Sequence, residues 1–441
     1  MRPRIIAGYT AVLLTTASLA ACGAGAGGAG TAAGGAKTVN AVLENQPFTR
    51  ALTPYIPEFE KQTGITVNVQ TYSEQQSRQK ILVTLQSHSP AMDVFMSLPS
   101  LEGKEYAKAG YYQPLDSYVS NPKLTPASYQ FSGFSKPLLD SERIGGHLIG
   151  IPINVEGPVI FYRTDLFRQY GISVPRTLSQ LLADAKIIKA KSGGKIYPIA
   201  GRGLDSALPY TFGPFFHNEG LQWLSSSGQP NFDKPGAVQA ISTYATLVGK
   251  YGPPGVVNNS FTQSSALFAQ GKAAMELDST NEISSITAPG SSQVLGKIGV
   301  FNIPAGPGGS HPTVLNWGLS MSRYAAHKKE AWEFIKWATS PQMQLKLALK
   351  GIASPRIAVS KNPKYQATLN TPLRKQWQQV LNVIIATGNP QVGPPAVNEP
   401  EVRKVIGDAV DQVMLGEESA AKAAAQIQQG LRPLVGTGGG A

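Results

Sequence analysis

Residues 146–168 limit the possible folds more than any other stretch. They hold two apolar runs, 148–153 and 159–162, separated by Asn154, Glu156, Gly157 and Pro158. Runs apolar at every position, without alternation, suit strands buried on both faces of an α/β sheet. The break between them carries an amide, a carboxylate, a glycine and a proline. Such a break is a place for a chain to change direction or to leave one domain for another. Thr164 then opens a short helix that Gly171 stops.

The residues before this stretch repeat one pattern. Strands are expected at 38–43, 65–69 and 93–96, and helices at 54–63, around Ile81, Leu82 and Leu85, and at 101–109. This βαβαβα alternation predicts an open, mainly parallel sheet flanked by helices. Ligands of such sheets bind beyond the carboxyl ends of the strands. Residues 44–48, 72–74 and 97–99 lie there. After residue 171 the pattern continues. Thr177 and Gln180 form a helix-opening pair, residues 196–200 and 273–277 read as strands, and residues 372–386, 400–415 and 419–431 read as helices.

The N-terminus carries a different signal. Arg2 and Arg4 precede an apolar run, 5–19, too short for a stable span. Leu19-Ala20-Ala21-Cys22 follows, and Cys22 is the chain's only cysteine. That arrangement matches a bacterial lipobox. Residues 1–21 are then a signal peptide, and Cys22 is the lipidated first residue of the mature chain. Residues 22–37, almost all Gly, Ala and Thr, form a tether with too little apolar surface to fold. A single thiol excludes an intrachain disulfide.

Composition and motifs exclude several functions. The net charge of +12 is spread singly, with no Lys/Arg run of the kind that binds nucleic acid. The histidines, 88, 147, 217, 311 and 327, fit no metal-ligand spacing. No nucleophile elbow, dinucleotide fingerprint or phosphate loop is present, so no cofactor, metal or catalytic residue is assigned. A glycosidase would need two carboxylates across a bond, and Glu44, Glu74, Glu156 and Asp278 leave that alternative open. Binding is the better reading. The loops mix planar polar side chains, which pair with vicinal hydroxyls, and aromatics, which cover apolar ring faces. Trp317, Asp278, Glu156, Arg202 and Arg356 each also have an ordinary structural reading, as core, cap, turn or surface residues.

Several motifs appear in a shared order. They include the lipobox, Ala109-Gly-Tyr-Tyr-Gln-Pro-Leu-Asp116, Gly150-Ile-Pro-Ile153, Phe161-Tyr-Arg-Thr-Asp-Leu-Phe167, Pro175-Arg-Thr-Leu-Ser-Gln-Leu181, Phe268-Ala-Gln-Gly-Lys-Ala-Ala-Met275 and Ala331-Trp-Glu-Phe-Ile-Lys-Trp337. Together they resemble the extracellular solute-binding lipoproteins of bacterial ABC sugar importers, over residues 38–436. Gly201-Arg-Gly203 and Asn316-Trp-Gly-Leu-Ser-Met321 look closest to the polyol- and mannitol-binding branch. The preceding run from His311 departs from that branch's aromatic-rich sequence.

The resemblance implies a two-lobed clamshell, each lobe a mainly parallel sheet flanked by helices. Lobe 1 would comprise 38–152 plus 305–353, and lobe 2 would comprise 153–304 plus 354–436. Three crossings fall near Ile153, Pro304 and Ser354. It implies a monomer, tethered through Cys22 to the outer face of the cytoplasmic membrane. That monomer would hand a sugar or polyol to the permease subunits of an importer; a peptide, polyamine or glycerophosphodiester is the alternative cargo. Carried over position by position, the ligand residues would be Glu44, Asn45, Phe48, Glu74, Asn154, Glu156, Arg202, Asp278, Asn316, Trp317 and Arg356.

Overall fold

The computed structural model describes residues 37–435, so the expected signal peptide, Cys22 and all of the expected tether except Lys37 lie outside the described residues. Two sheets organise the chain. The first has five strands in the order Thr66–Tyr72, Thr38–Glu44, Val94–Ser97, Gly318–Met321 and Gly150–Pro152. The first three are parallel, as the βαβ alternation requires. Gly318–Met321 inserts from far along the chain, antiparallel to both neighbours. Glu44 pairs with Tyr72, and Gly318 with both Ser97 and Pro152. These residues therefore share one edge of the sheet.

The second sheet runs Ile298–Asn302, Pro158–Arg163, Met275–Ser279 and Ala200–Gly201. Here the expectation of a mainly parallel sheet fails. Only the last pairing is parallel; the other two are antiparallel. The cause lies in how the chain enters. Pro158–Arg163 leads away from the crossing at 153–157. Met275–Ser279 and Ile298–Asn302 bring the chain back to it and must run the other way. The returning ends, Ser279 and Asn302, lie opposite Pro158 and Val159.

Each sheet is covered by helices with an apolar face. Lys328–Ala338 presses Trp332, Phe334 and Ile335 into the first core. The helix Leu208–Asn218 is buried along its whole length and carries Pro214 inside it. The two C-terminal helices, Glu399–Leu415 and Ala420–Val435, bring Val402, Ile406, Ile427 and Leu431 into the second core. Among the described residues no helix is long and apolar enough to cross a membrane.

The segments between the sheets are laced together. Ile153 N donates to Trp317 O at 2.8 Å, and Val155 N donates to Ala353 O at 3.0 Å. Glu156 and Leu315 exchange two backbone hydrogen bonds, both 2.9 Å. Gly157 lies so close to the Thr313 carbonyl and Ile384 that a β-carbon would collide with both. The loop after Asn302 stays with the second sheet's side. Leu178 N donates to Ala305 O at 3.1 Å, and Gly308 N donates to Asn218 O at 2.7 Å.

Candidate functional site

The facing edges of the two sheets line a narrow cavity that is partly open to solvent. Most of the contributing elements begin or end at it. Glu44 closes its strand, and Glu74 is the first residue of the helix Glu74–Gln86, fixed by a capping box between Ser73 and Gln76. Glu156 comes from the first crossing, Leu315 and Trp317 from the second, and Ser279 from the returning strand. Arg202, Tyr210, Phe261 and Arg403 complete the second half's wall.

Arg202 is the electrostatic centre. Its Nη2 donates to Asp278 Oδ1 at 2.6 Å and its Nε to Oδ2 at 3.1 Å, a two-pronged pair with both partners buried. Its Nη1 lies 4.0 Å from Glu74 across the cavity. The guanidinium also covers Tyr210 and Phe261, 4.7 and 5.4 Å from the ring centres. Burial disfavours the cation, but Asp278 and Glu74 outweigh that and hold Arg202 firmly protonated. Opposite, Arg78 bridges Glu74 at 3.1 Å and Glu102 at 2.6 Å while lying 5.2 Å over the Trp317 ring.

The carboxylates differ. Burial pushes Glu74 up, yet Arg78, Arg202 and Arg403 together bring it below the usual carboxylate value. Glu156 accepts from Ser279 Oγ, from Asn281 Nδ2 at 3.0 Å and from Trp317 Nε1 at 3.0 Å. Burial still raises it. Glu282 is raised by burial and by Asp278, to about 7. Glu44 is raised well above its ordinary value by burial, with Glu74 adding to the effect.

The structure thus brings Glu44, Glu74, Glu156, Arg202 and Trp317 around one cavity, with Asp278 directly behind Arg202. Asn154 stands one layer back, where its Oδ1 accepts from Trp317 N at 2.8 Å. Four other expected positions lie elsewhere. Phe48 is in the first core, because Pro47 starts a helix where a loop was expected and turns the ring inward. Asn45 is exposed and accepts from Arg50 Nη1 at 3.2 Å. Asn316, next to Trp317 on extended chain, points to the opposite face. There it donates to Glu142 at 2.7 Å and accepts from Ser141 at 2.7 Å. Arg356 donates to the carbonyls of Thr339, Gln130 and Tyr129 at 2.6, 2.9 and 3.0 Å, and lies 3.9 Å over Phe134. With no carboxylate to oppose it, burial brings its pKa down to about 10.

Sequence reasoning also missed residues, Arg403 above all. It is buried on Glu399–Leu415, its Nε donating to Ser206 O at 2.6 Å. A signal existed. Glu399 and Arg403 stand four apart, inside the stripe formed by Val402 and Ile406, where a surface helix carries apolar residues. Tyr210 and Phe261 gave no such signal. Each lies on a mainly apolar helix, and only tertiary packing turns it to the cavity.

The profile of the bacterial extracellular solute-binding proteins matches residues 45–345. The erythritol/L-threitol-binding protein of Mycolicibacterium smegmatis is 28% identical over 375 residues, 79% of this chain and 78% of that one. The mannitol-binding protein of Pseudomonas aeruginosa is 27% identical over 271 residues, 60% of this chain and 59% of its own length. Among solved structures, a maltose-bound binding protein of T. maritima superposes with a TM-score of 0.79 at 23% identity, covering 90% of this chain and 99% of that one. A D-mannitol-bound solute-binding protein from Agrobacterium vitis gives 0.77 at 25% identity, with 89% and 97% coverage.

Proposed function

The chain belongs to the bacterial extracellular solute-binding proteins, and on that premise we propose that it captures a small acyclic polyol between its two halves for delivery to an ABC importer. It is a binding protein, not an enzyme. The observation that carries the choice of ligand is the state of the cavity's aromatic walls. Arg78 covers a face of Trp317, and Arg202 covers faces of Tyr210 and Phe261. One face of each ring is occupied by a guanidinium group, which leaves less aromatic surface for stacking a pyranose ring. What the cavity offers instead is a close set of carboxylates and arginines, suited to paired hydroxyls along a short flexible chain. The names of the Mycolicibacterium and Pseudomonas relatives support the same class.

The ligand residues in this reading are Glu44, Glu74, Glu156, Arg202, Trp317 and Arg403, with Asp278 and Asn154 holding Arg202 and Trp317 in place. Lobe 1 is 38–152 plus 310–353, and lobe 2 is 153–309 plus 354–435, the loop 305–309 moving with lobe 2 rather than with lobe 1 as expected. The laced crossing segments are the hinge. The monomer is anchored through Cys22 to the outer face of the cytoplasmic membrane, and removal of the label from a palmitate-fed host by Cys22→Ser tests that anchor.

Thermal unfolding with a panel of solutes tests the ligand class. A ligand at about a hundred times its Kd adds roughly 2.7 kcal/mol of stability. Erythritol, threitol, ribitol or mannitol should raise the melting temperature. A rise with maltose or longer saccharides and with no polyol overturns the reading.

A further inference from the structure

The charges around the cavity do not balance. Glu44, Glu74, Glu156 and Glu282 line it, against Arg202 and Arg403. Among the described residues no lysine or histidine lines it. The arginines are already shared out. Arg202 holds Asp278 at 2.6 Å and lies 4.0 Å from Glu74. Arg78, over the Trp317 ring, holds Glu74 at 3.1 Å and Glu102 at 2.6 Å. Arg403 donates its Nε to Ser206 O at 2.6 Å, and one helical turn before it Glu399 adds a further buried carboxyl.

Glu44, Glu156 and Glu282 are left without a cation. Among the described residues none of them forms a salt bridge, since the pairs at the cavity go to Glu74, Glu102 and Asp278. Glu156 is held by Ser279, Asn281 and Trp317, all neutral donors. Glu282 accepts from the Ser265 hydroxyl at 3.1 Å, and Glu276 engages the same hydroxyl at 2.5 Å. The crowding of like charge has a visible effect. Burial raises the Glu44 carboxyl well above its ordinary value, and Glu74 and Glu156 add to this against Arg78 and Arg202. Burial, and after it Asp278, raises Glu282 to about 7.

Unpaired carboxylates in a confined site are costly, and neutral hydroxyls offset only part of that cost. An ammonium group offsets more. It brings several N–H donors and a positive charge, and its hydrogen bonds to carboxylates are stronger than those of a hydroxyl. An anionic solute meets the reverse situation. It adds to the excess of negative charge, and Arg78 and Arg202 are already engaged by carboxylates.

We propose that the preferred solute is a polyol bearing a protonated amine, whose ammonium sits between Glu44 and Glu156. The proposal rests on reading the cavity as a polyol site and narrows the ligand within it. Hydroxyls along the rest of the solute keep the contacts with Glu74, Arg202 and Arg403. The plain polyol makes the same hydroxyl contacts but leaves Glu44 and Glu156 without a cation, so it binds more weakly.

Calorimetric titration at about pH 7, where an alkylamine is protonated, tests this with matched pairs. Erythritol, threitol, ribitol and mannitol are each compared with the derivative in which a terminal hydroxyl is replaced by an amine. At least one amine should bind about tenfold more tightly than its own polyol, or better. Glu44→Gln should bring that ratio down towards one. Should Glu44→Gln fail to fold, the wild-type ratio alone decides. Equal affinities within every pair, or polyols that bind more tightly than their amines, overturn the proposal and leave the polyol reading standing. An amine advantage that Glu44→Gln leaves in full overturns the placement of the ammonium. Binding of neither member of any pair overturns the proposal and the polyol reading together.

Discussion

Arg202 and Arg356 look alike in the sequence and stand in opposite situations. Each is buried and each lies over aromatic rings. Arg202 directs its donors to carboxylates at a cavity, and Arg356 directs its donors to three backbone carbonyls inside the first half. Burial lowers both pKa values in principle, but only Arg202 has Asp278 and Glu74 to reverse the effect. The comparison shows that a buried arginine points to a ligand when its partners are charged and face open space. When its partners are peptide carbonyls, it is a clamp. Arg356 ties the turn after Ile352 to the segment at 129–130 and has nothing left to offer a solute.

Substitutions at these two residues are the strongest way to break the contrast. Arg202→Met leaves Asp278 as a buried, unpaired charge and should cost about 3–5 kcal/mol of stability. It should also abolish solute binding, read by urea melts and calorimetry. Arg356→Met should cost about 2–4 kcal/mol by orphaning the Thr339 and Tyr129 carbonyls, Gln130 O still accepting from Gly133 N, while solute affinity stays within about twofold of wild type. An affinity loss in Arg356→Met equal to that in Arg202→Met would erase the distinction. Trp317→Phe sharpens it at the cavity. It keeps the ring but loses the donor to Glu156, and affinity should fall by about 1.5–3 kcal/mol. The smallest effect belongs to Arg50→Ala. It removes an exposed bond to Ser285 across the cleft, and the change in affinity should be about 0.5 kcal/mol.

The same contrast explains what the sequence could reveal. Glu44, Glu74 and Glu156 were legible because strand ends and crossings share an edge whatever their side chains do. Only the three parallel strands of the first sheet followed from its βαβ alternation. The second did not, because strand direction there depends on where the chain enters and leaves, which no local pattern records. Phe48 and Asn316 were misplaced by single local events, an early helix start at Pro47 and the alternation of neighbouring residues on extended chain. Arg356 could not be separated from Arg202, since carbonyl and carboxylate partners are both supplied by distant segments. Arg403 was separable, as a charge within an apolar helical stripe.

Calorimetric titration of the wild-type protein and Arg202→Met with erythritol, threitol, ribitol and mannitol tests the central claim most directly. Saturable one-to-one binding of at least one polyol by the wild type, absent from the folded variant, is the predicted result. Equal binding by both proteins, or binding of none of the polyols by the wild type, would contradict it.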